Sequence, residues 1–336
     1  MFREKFKYYK KKDPPPSFEE VIKVAEPNVD ILSELTINCD DDDVHECDKY
    51  GLRHPSMWNI YELKSCPGFI YIVNPFTSSG QRYWVCRSLA DYTKKPSVTN
   101  IDGHKDVVEL LKHDKWWDIV SSNSKHSHQL KKKLRWATMG YHHNWDTKIY
   151  SESSKDPFPK DLDQLCVFII KTVLNMDFRA EACIVNFYHM DSSLSGHTDR
   201  SEPNREAPLL SFSFGQSAIF LIGGTTLEER PNAILVESGD IAIMFGDSRL
   251  RYHGVPRILR ASRDPWNNFQ HQQQYVNQSI SVPELSCGTY PITSNNLIAD
   301  ADSWAPFSNY LNDSRININV RQVLSPNQTS LGDAQK

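Results

Sequence analysis

The chain has 336 residues, is 39% hydrophobic and 24% charged, and carries a formal net charge of −4. That is enough chain for one large domain or two modest ones, with the composition of an ordinary globular protein. No apolar run nears the ~20 residues that cross a bilayer, so neither a transmembrane helix nor membrane association is expected. The N-terminal "MFREKFKYYKKKDPPP" lacks the apolar core of a secretory signal. Seven Cys, at 39, 47, 66, 86, 166, 183 and 287, include no Cys-x-x-Cys pair, which fits a reducing compartment and excludes a zinc finger or disulfide framework. The expected location is intracellular: mitochondrion, nucleus or both, with the cytoplasm as the remaining place.

The N-terminal extension, residues 1–60, is expected to hold one helix at "SFEEVIKVA" and an acidic linker at "CDDDDVHECD". A mixed region, 61–180, follows. There "GFIYIVNPF" reads as a strand, and "SSGQRYWVCRSLADYT" as a helix with Ser near its start. "DGHKDVVELLKHDKWWDIV" reads as one further helix, and "KDLDQLCVFIIKTVLN" repeats its apolar residues at helical spacing. The run "KHSHQLKKKLR" carries about +5 and leads into the aromatic "WATMGYHHNW". Cations for phosphates beside rings for bases are what an unpaired nucleotide needs.

From about Glu181 the period changes. "EACIVNFYHM", "PLLSFSFG", "SAIFLIGG", "AILVESGDIAIMFG", "RLRYHGVPRIL" and "RININVRQV" are short β-branched and aromatic segments punctuated by Gly, Pro, Asn and Asp. Strands without intervening helices predict a β-sandwich or barrel, best a jelly roll, over 181–325. A polar insertion at about 264–312 interrupts it, with a helix near "ADSWAPFSNYL", and residues 326–336 read as a disordered tail.

Three His-x-acid triplets occur, at His104, His189 and His197, where 12 His and 42 acidic residues give roughly 1.5 by chance. His104-Lys105-Asp106 opens a helix, where the Asp suits the first-turn dipole. His197-Thr198-Asp199 lies on extended chain, where residues two apart share a face. His253, on a later strand, is the only His between 198 and 270. Two imidazoles and one carboxylate leave three coordination positions open, the facial triad of non-haem Fe(II) oxygenases. "SRININVRQV" places Arg315, Asn317, Asn319 and Arg321 on one strand face, which lines a barrel mouth or a solvated edge equally well by spacing alone.

Asn186-x-Tyr188, His197-x-Asp199, His253 and Arg315-x5-Arg321 together resemble the AlkB family of Fe(II)/2-oxoglutarate nucleic-acid dioxygenases, from about Lys64 to Leu324. "DFRAEACIVNFY", "VESGDIAIMFGDSRLRYHGVPRIL" and "LRWATMGYHHNWD" are most similar to the first AlkB homologue of animals. The resemblance implies an α+β, β-rich protein: a double-stranded β-helix (jelly roll) core with supporting N-terminal helices. It implies Fe(II) on His197, Asp199 and His253, and 2-oxoglutarate held by Asn186, Tyr188, Arg315 and Arg321, with O2 as oxidant. It implies a monomer that demethylates or hydroxylates methylated bases in nucleic acid. tRNA leads (N1-methyladenine, 5-methylcytosine), with N6-methyladenine in DNA next and a protein (histone) hydroxylase or demethylase as the alternative. Phosphates would meet Lys131, Lys132, Lys133 and Arg135, and bases Trp136, Tyr141, His143 and Trp145. In bacterial AlkB an acidic residue two places after the iron-binding Asp contacts the base; here Ser201 stands there and Glu202 follows, so the role passes to Glu202 or is absent.

Overall fold

The alternating strands after residue 181 do pair into two facing sheets, and earlier parts of the chain extend both. The computed structural model describes residues 1–39, 43–122, 124–267 and 300–332. The first part of the chain holds α1 (Phe2–Lys10), β1 (Val21–Lys23), β2 (Leu32–Glu34), α2 (Asp43–Tyr50), β3 (Asn59–Leu63) and β4 (Phe69–Val73). Next come α3 (Ser78–Cys86), β5 (Val98–Thr99), α4 (Lys105–Leu110), α5 (Trp116–Ser121), α6 (Ser127–Lys133), β6 (Trp136–Gly140) and α7 (Lys160–Leu174). The last part holds β7 (Ala182–His189), β8 (Leu194–His197), β9 (Leu209–Gly215), β10 (Ser217–Ile222), β11 (Asn232–Val236) and β12 (Ile241–Met244). It closes with β13 (His253–Leu259), α8 (Ala301–Leu311) and β14 (Ser314–Arg321).

The larger sheet has the order β2-β3-β4-β12-β9-β14-β7-β6-β5, and the smaller β1-β11-β10-β13-β8. This is the α+β, β-rich double-stranded β-helix, or jelly roll. Each central strand of the large sheet alternates. In β9, Leu210, Phe212 and Phe214 face the helices, and Ser211 and Ser213 face the space between the sheets. In β14, Ile316, Ile318 and Val320 likewise enter the main core, which they share with Trp84 of α3 and with Leu165 and Ile169 of α7. β14 runs between β7 and β9, so its polar face is buried, not a solvated edge. α1 covers the outer face of the small sheet. Its Phe2 ring is so close to the backbone that a Cβ on Gly196 would come within 2.5 Å of it, and one on Gly223 within 2.9 Å. The helix therefore seats directly against the strand that ends in His197.

Several expectations need correction. "SFEEVIKVA" is not a helix: Val21–Lys23 forms β1, parallel to β11 with Val21 opposite Ala233. Pairing with a strand 212 residues away overrides the local pattern. The acidic linker holds α2, with Cys47 and Tyr50 buried; residues 40–42 of it lie outside the described residues. The segment after Asp102 forms two helices, α4 and α5, joined by a turn. Val107 and Trp116 are both buried, yet at 100° per residue nine positions put them on opposite faces of one helix. α3 does start at Ser78, as read, and Thr77 caps it, its Oγ1 accepting from the Gly80 amide at 3.0 Å. The tail is held as far as residue 332: Leu331 N donates to Glu152 Oε2 at 3.1 Å. Residues 333–336 and 268–299 lie outside the described residues, while the helix expected near the end of the insertion is α8.

Candidate active site

A cavity of about 730 Å3 opens between the sheets. Its floor is the polar face of the large sheet (Asn186 and Tyr188 of β7, Ser211 and Ser213 of β9, Arg315 to Arg321 of β14), and its wall is β8 and β13 of the small one. On that wall the antiparallel register sets His253 directly opposite His197. Asp199 follows two residues on, where β8 has ended. His197 Nε2 lies 3.9 Å and His253 Nε2 3.6 Å from the Asp199 carboxylate, and the ligating atoms of all three fall within 4.8 Å of one another.

The surroundings suit a metal. His197 Nδ1–H donates to the Ser195 carbonyl at 2.9 Å and His253 Nδ1–H to the Arg251 carbonyl at 3.1 Å. Fixing the proton on Nδ1 turns both Nε2 lone pairs toward Asp199. Burial, then repulsion from His197, brings the His253 pKa down to about 4, so its imidazole is neutral at pH 7. Burial alone would raise the Asp199 carboxyl. Arg321, whose Nη2 donates to Asp199 Oδ2 at 2.9 Å, reverses this and holds the group well below the usual carboxylate range. Two imidazoles and one carboxylate form the set a divalent iron takes.

A second buried feature lies across the cavity floor. Arg315 is 3% exposed, and only its Nη2 finds a partner, Ser213 Oγ at 2.9 Å. Nε and Nη1 have no hydrogen-bond partner among the described residues, and neither has the hydroxyl of buried Tyr188, over whose ring the guanidinium sits at 5.2 Å. Unmade bonds from a buried cation are costly, so this corner is complete only with an anionic acceptor. A planar carboxylate fits the fork. Asn317 is fixed by donating to Ser211 Oγ and the Phe212 carbonyl, and Asn319 by donating to Asn317 Oδ1.

The residues expected at a nucleic acid divide. His143 and Trp145 line the cavity entrance with rings 4.7 Å apart, and Trp136 packs against Trp145 at 5.2 Å. Lys132 and Arg135 are exposed, Arg135 donating to Ser192 Oγ at 3.2 Å. The other four have partners within the protein. Tyr141 is 1% exposed, its hydroxyl bonded to Glu152, and is core. Lys131 pairs with Asp313 and Lys133 with Asp106. Glu202 is 2% exposed and clasped by Arg249 Nη2 at 3.1 Å and Arg321 Nε at 3.3 Å, with the Tyr150 hydroxyl donating at 3.0 Å. These three partners fix Glu202 in the cavity wall, where it holds the site together.

Sequence reasoning missed Arg249, Tyr150 and the two serines, as well as Lys148, Arg200 and Arg205 around the entrance. The serines were detectable: Ser211 and Ser213 alternate with Leu210, Phe212 and Phe214, the mark of a strand with one polar face. Arg249 carried no local signal.

The sequence profile of the 2OG-Fe(II) oxygenase superfamily matches residues 68–321. The chain is 36% identical over 344 aligned positions to the protein of Mus musculus named "Nucleic acid dioxygenase ALKBH1", covering 97% of this chain and 85% of that one. With the Homo sapiens protein of the same name it is 40% identical over 282 positions, 83% of this chain and 70% of that one. The "tRNA demethylase abh1" of Schizosaccharomyces pombe is 36% identical over 194 positions, covering 57% of this chain and 53% of its own.

Proposed function

The chain belongs to the 2OG-Fe(II) oxygenase superfamily, within its AlkB family, and from that premise we propose that it is an Fe(II)- and 2-oxoglutarate-dependent dioxygenase oxidising methylated bases in nucleic acid. Relatives named for action on nucleic acid and on tRNA support the substrate class. The observation that carries the reading is the pairing of a preoriented His197–Asp199–His253 set with an unsatisfied Arg315–Tyr188 corner in one cavity.

His197, Asp199 and His253 would hold the iron. Arg315, with Ser213 behind it and Tyr188 beside it, would take the far carboxylate of 2-oxoglutarate, and Asn186 faces the same space. When bound, iron, 2-oxoglutarate and O2 supply an oxidant that hydroxylates a methyl C–H as 2-oxoglutarate loses CO2 to become succinate. The protein's part is to position and to exclude. Arg321 keeps Asp199 ionised, and the Nδ1–carbonyl bonds keep both imidazoles in one tautomer. Leu194, Val255 and Phe220 form an apolar patch on the cavity wall, where an inserted base displaces water. His143 and Trp145 offer ring faces to a base taken out of its stack, a step that costs a few kcal/mol. A hydroxymethyl on ring or exocyclic nitrogen departs as formaldehyde, whereas on carbon it persists. The leading substrate is methylated tRNA, at N1-methyladenine or 5-methylcytosine, acted on by a monomer; N6-methyladenine in unpaired DNA comes second.

The test uses anaerobically purified protein with Fe(II) and 2-oxoglutarate, exposed to air with methylated tRNA beside a His253→Ala control. Succinate and modified nucleosides are read by mass spectrometry. Succinate with loss of a methylated base, in wild type alone, is the expected result. Succinate with every base intact transfers the site to a protein substrate, and neither product refutes the dioxygenase reading.

A further inference from the structure

A second, smaller cleft of about 260 Å3 lies where the end of α1, the turn between β7 and β8, and the far end of β13 meet. Lys10, Lys12, Arg257, Arg260, Asp191 and Ser192 line it. Four cations face one carboxylate, in a chain whose net charge is −4. The Ser192 hydroxyl also receives Arg135, which brings a fifth cation to the rim.

A basic run is usually a solvated face, and Lys10 alone would be explained by the C-terminal dipole of α1. Two observations go further. The cations come from three separate elements: α1 and its extension, β13 with the residue after it, and the loop before β6. The two arginines also make no ion pair: their hydrogen bonds go to backbone carbonyls, and the Arg257 guanidinium lies over the Phe18 ring at 5.9 Å. Arg257 Nη1 donates to the Lys11 carbonyl at 2.8 Å and Arg260 Nη1 to that of Asn312 at 3.4 Å, so most of each guanidinium fork is uncommitted. The neighbouring cations differ: Lys5 and Arg230 share Glu20, Lys131 pairs with Asp313 and Lys133 with Asp106.

We propose that this cleft is a phosphate-backbone site, holding the nucleic acid strand beyond the nucleotide that enters the active site. The proposal rests on the nucleic-acid reading above and adds where the rest of the strand lies. β13 carries His253 at its start, facing the cavity, and Arg257 four residues on, roughly 13 Å along the strand at 3.3 Å per residue and on the outer face beside α1. A nucleic acid strand that leaves the cavity and rounds the edge of the small sheet needs at least that span, about four nucleotides at ~3.4 Å each. Arg forks suit phosphate oxygens, and Ser192 supplies a neutral partner. Substrates too short to reach the cleft gain nothing from it.

The test compares a methylated trinucleotide with a 20-nucleotide single strand carrying the same methylated base, on wild type, K10Q/K12Q and R257Q/R260Q. The lysine pair is the safer variant, since Arg257 also supports the chain after α1. The expected result is a KM on the 20-mer raised about tenfold with kcat unchanged. The slope of log affinity against log salt should be shallower by about 1.4 for two lost contacts on a single strand, with the trinucleotide unaffected. Equal rises on both substrates would mean damage to the fold and overturn the site. So would an unchanged KM and slope on the 20-mer, including the case where K10Q/K12Q loses binding only to vesicles containing phosphatidylserine. If wild type turns over neither oligonucleotide, it is the nucleic-acid reading that fails.

Discussion

Arg249→Met is the perturbation that most directly questions how the metal-binding residues are held. Arg249 is 1% exposed and uses its guanidinium three ways: to Glu202 Oε2 at 3.1 Å, to the Ala207 carbonyl at 3.0 Å and to the Asp199 carbonyl at 2.6 Å. Methionine keeps most of the stem and removes every donor. Breaking a buried ion pair from one side costs about 3–5 kcal/mol, most of it the penalty of the charge left behind. Arg321 Nε still stands 3.3 Å from the other Glu202 oxygen, which places the expected loss near the lower end, about 3 kcal/mol. Adding Glu202→Gln removes the stranded charge, so the double variant should be more stable than the two single losses predict, with a coupling of about 1–3 kcal/mol. Urea unfolding of the metal-free protein reads both quantities. Because the Asp199 carbonyl loses its anchor, Mn(II) affinity measured calorimetrically should also fall about 10- to 100-fold. A loss under ~1 kcal/mol, or strictly additive single and double losses, would refute the claim that this network is a closed unit.

Two further outcomes follow from the same geometry. Arg315→Lys replaces a fork with a point charge beside Tyr188 and Ser213, and should raise the KM for 2-oxoglutarate at least ~30-fold, equivalent to about 2 kcal/mol; an unchanged KM for succinate formation would place the co-substrate's carboxylate elsewhere. Asp240 accepts from Tyr71 Oη, Glu237 N and Asn74 N, yet burial pushes its carboxyl up to about 7. As pH rises from about 4 to 7 the unfolded chain releases this proton and the folded chain keeps it, so this group's contribution to stability is present at low pH and lost on the way up. Asp240→Asn should flatten that part of the stability profile in urea titrations, and an identical pH slope in both proteins would remove Asp240 as its source.

The jelly roll and the triad were legible in the sequence for one physical reason. A strand between a helix-covered core and a polar cavity must alternate, and the alternation in "LLSFSFG" and "RININVRQ" states the face of every side chain. The register that brings His253 opposite His197 is not local, but two imidazoles and a carboxylate on adjacent polar faces have few other uses. The N-terminal part was not legible. β1 is three residues long and exists because β11 offers it a parallel edge; nothing in "SFEEVIKVA" carries that information. The break between α4 and α5 was legible and overlooked, since Val107 and Trp116 cannot share a helical stripe.

Glu202 marks where reading charge from sequence stops working. An acidic residue three positions after Asp199 looks available to a substrate, as the lysines of α6 look available to phosphate. Whether a charge is available depends on what the fold sets within 4 Å of it, and those partners sit 47, 119 and 52 positions away for Glu202 (Arg249, Arg321, Tyr150), and 182 away for Lys131 (Asp313). The same separation explains why the cations left uncommitted lie elsewhere. Arg257 and Arg260 lie at the far end of the His253 strand, where carbonyls and the Phe18 ring meet them and no carboxylate pairs with them. Charge that the fold has already neutralised stabilises the site, and charge that it leaves open is what a polyanion can find.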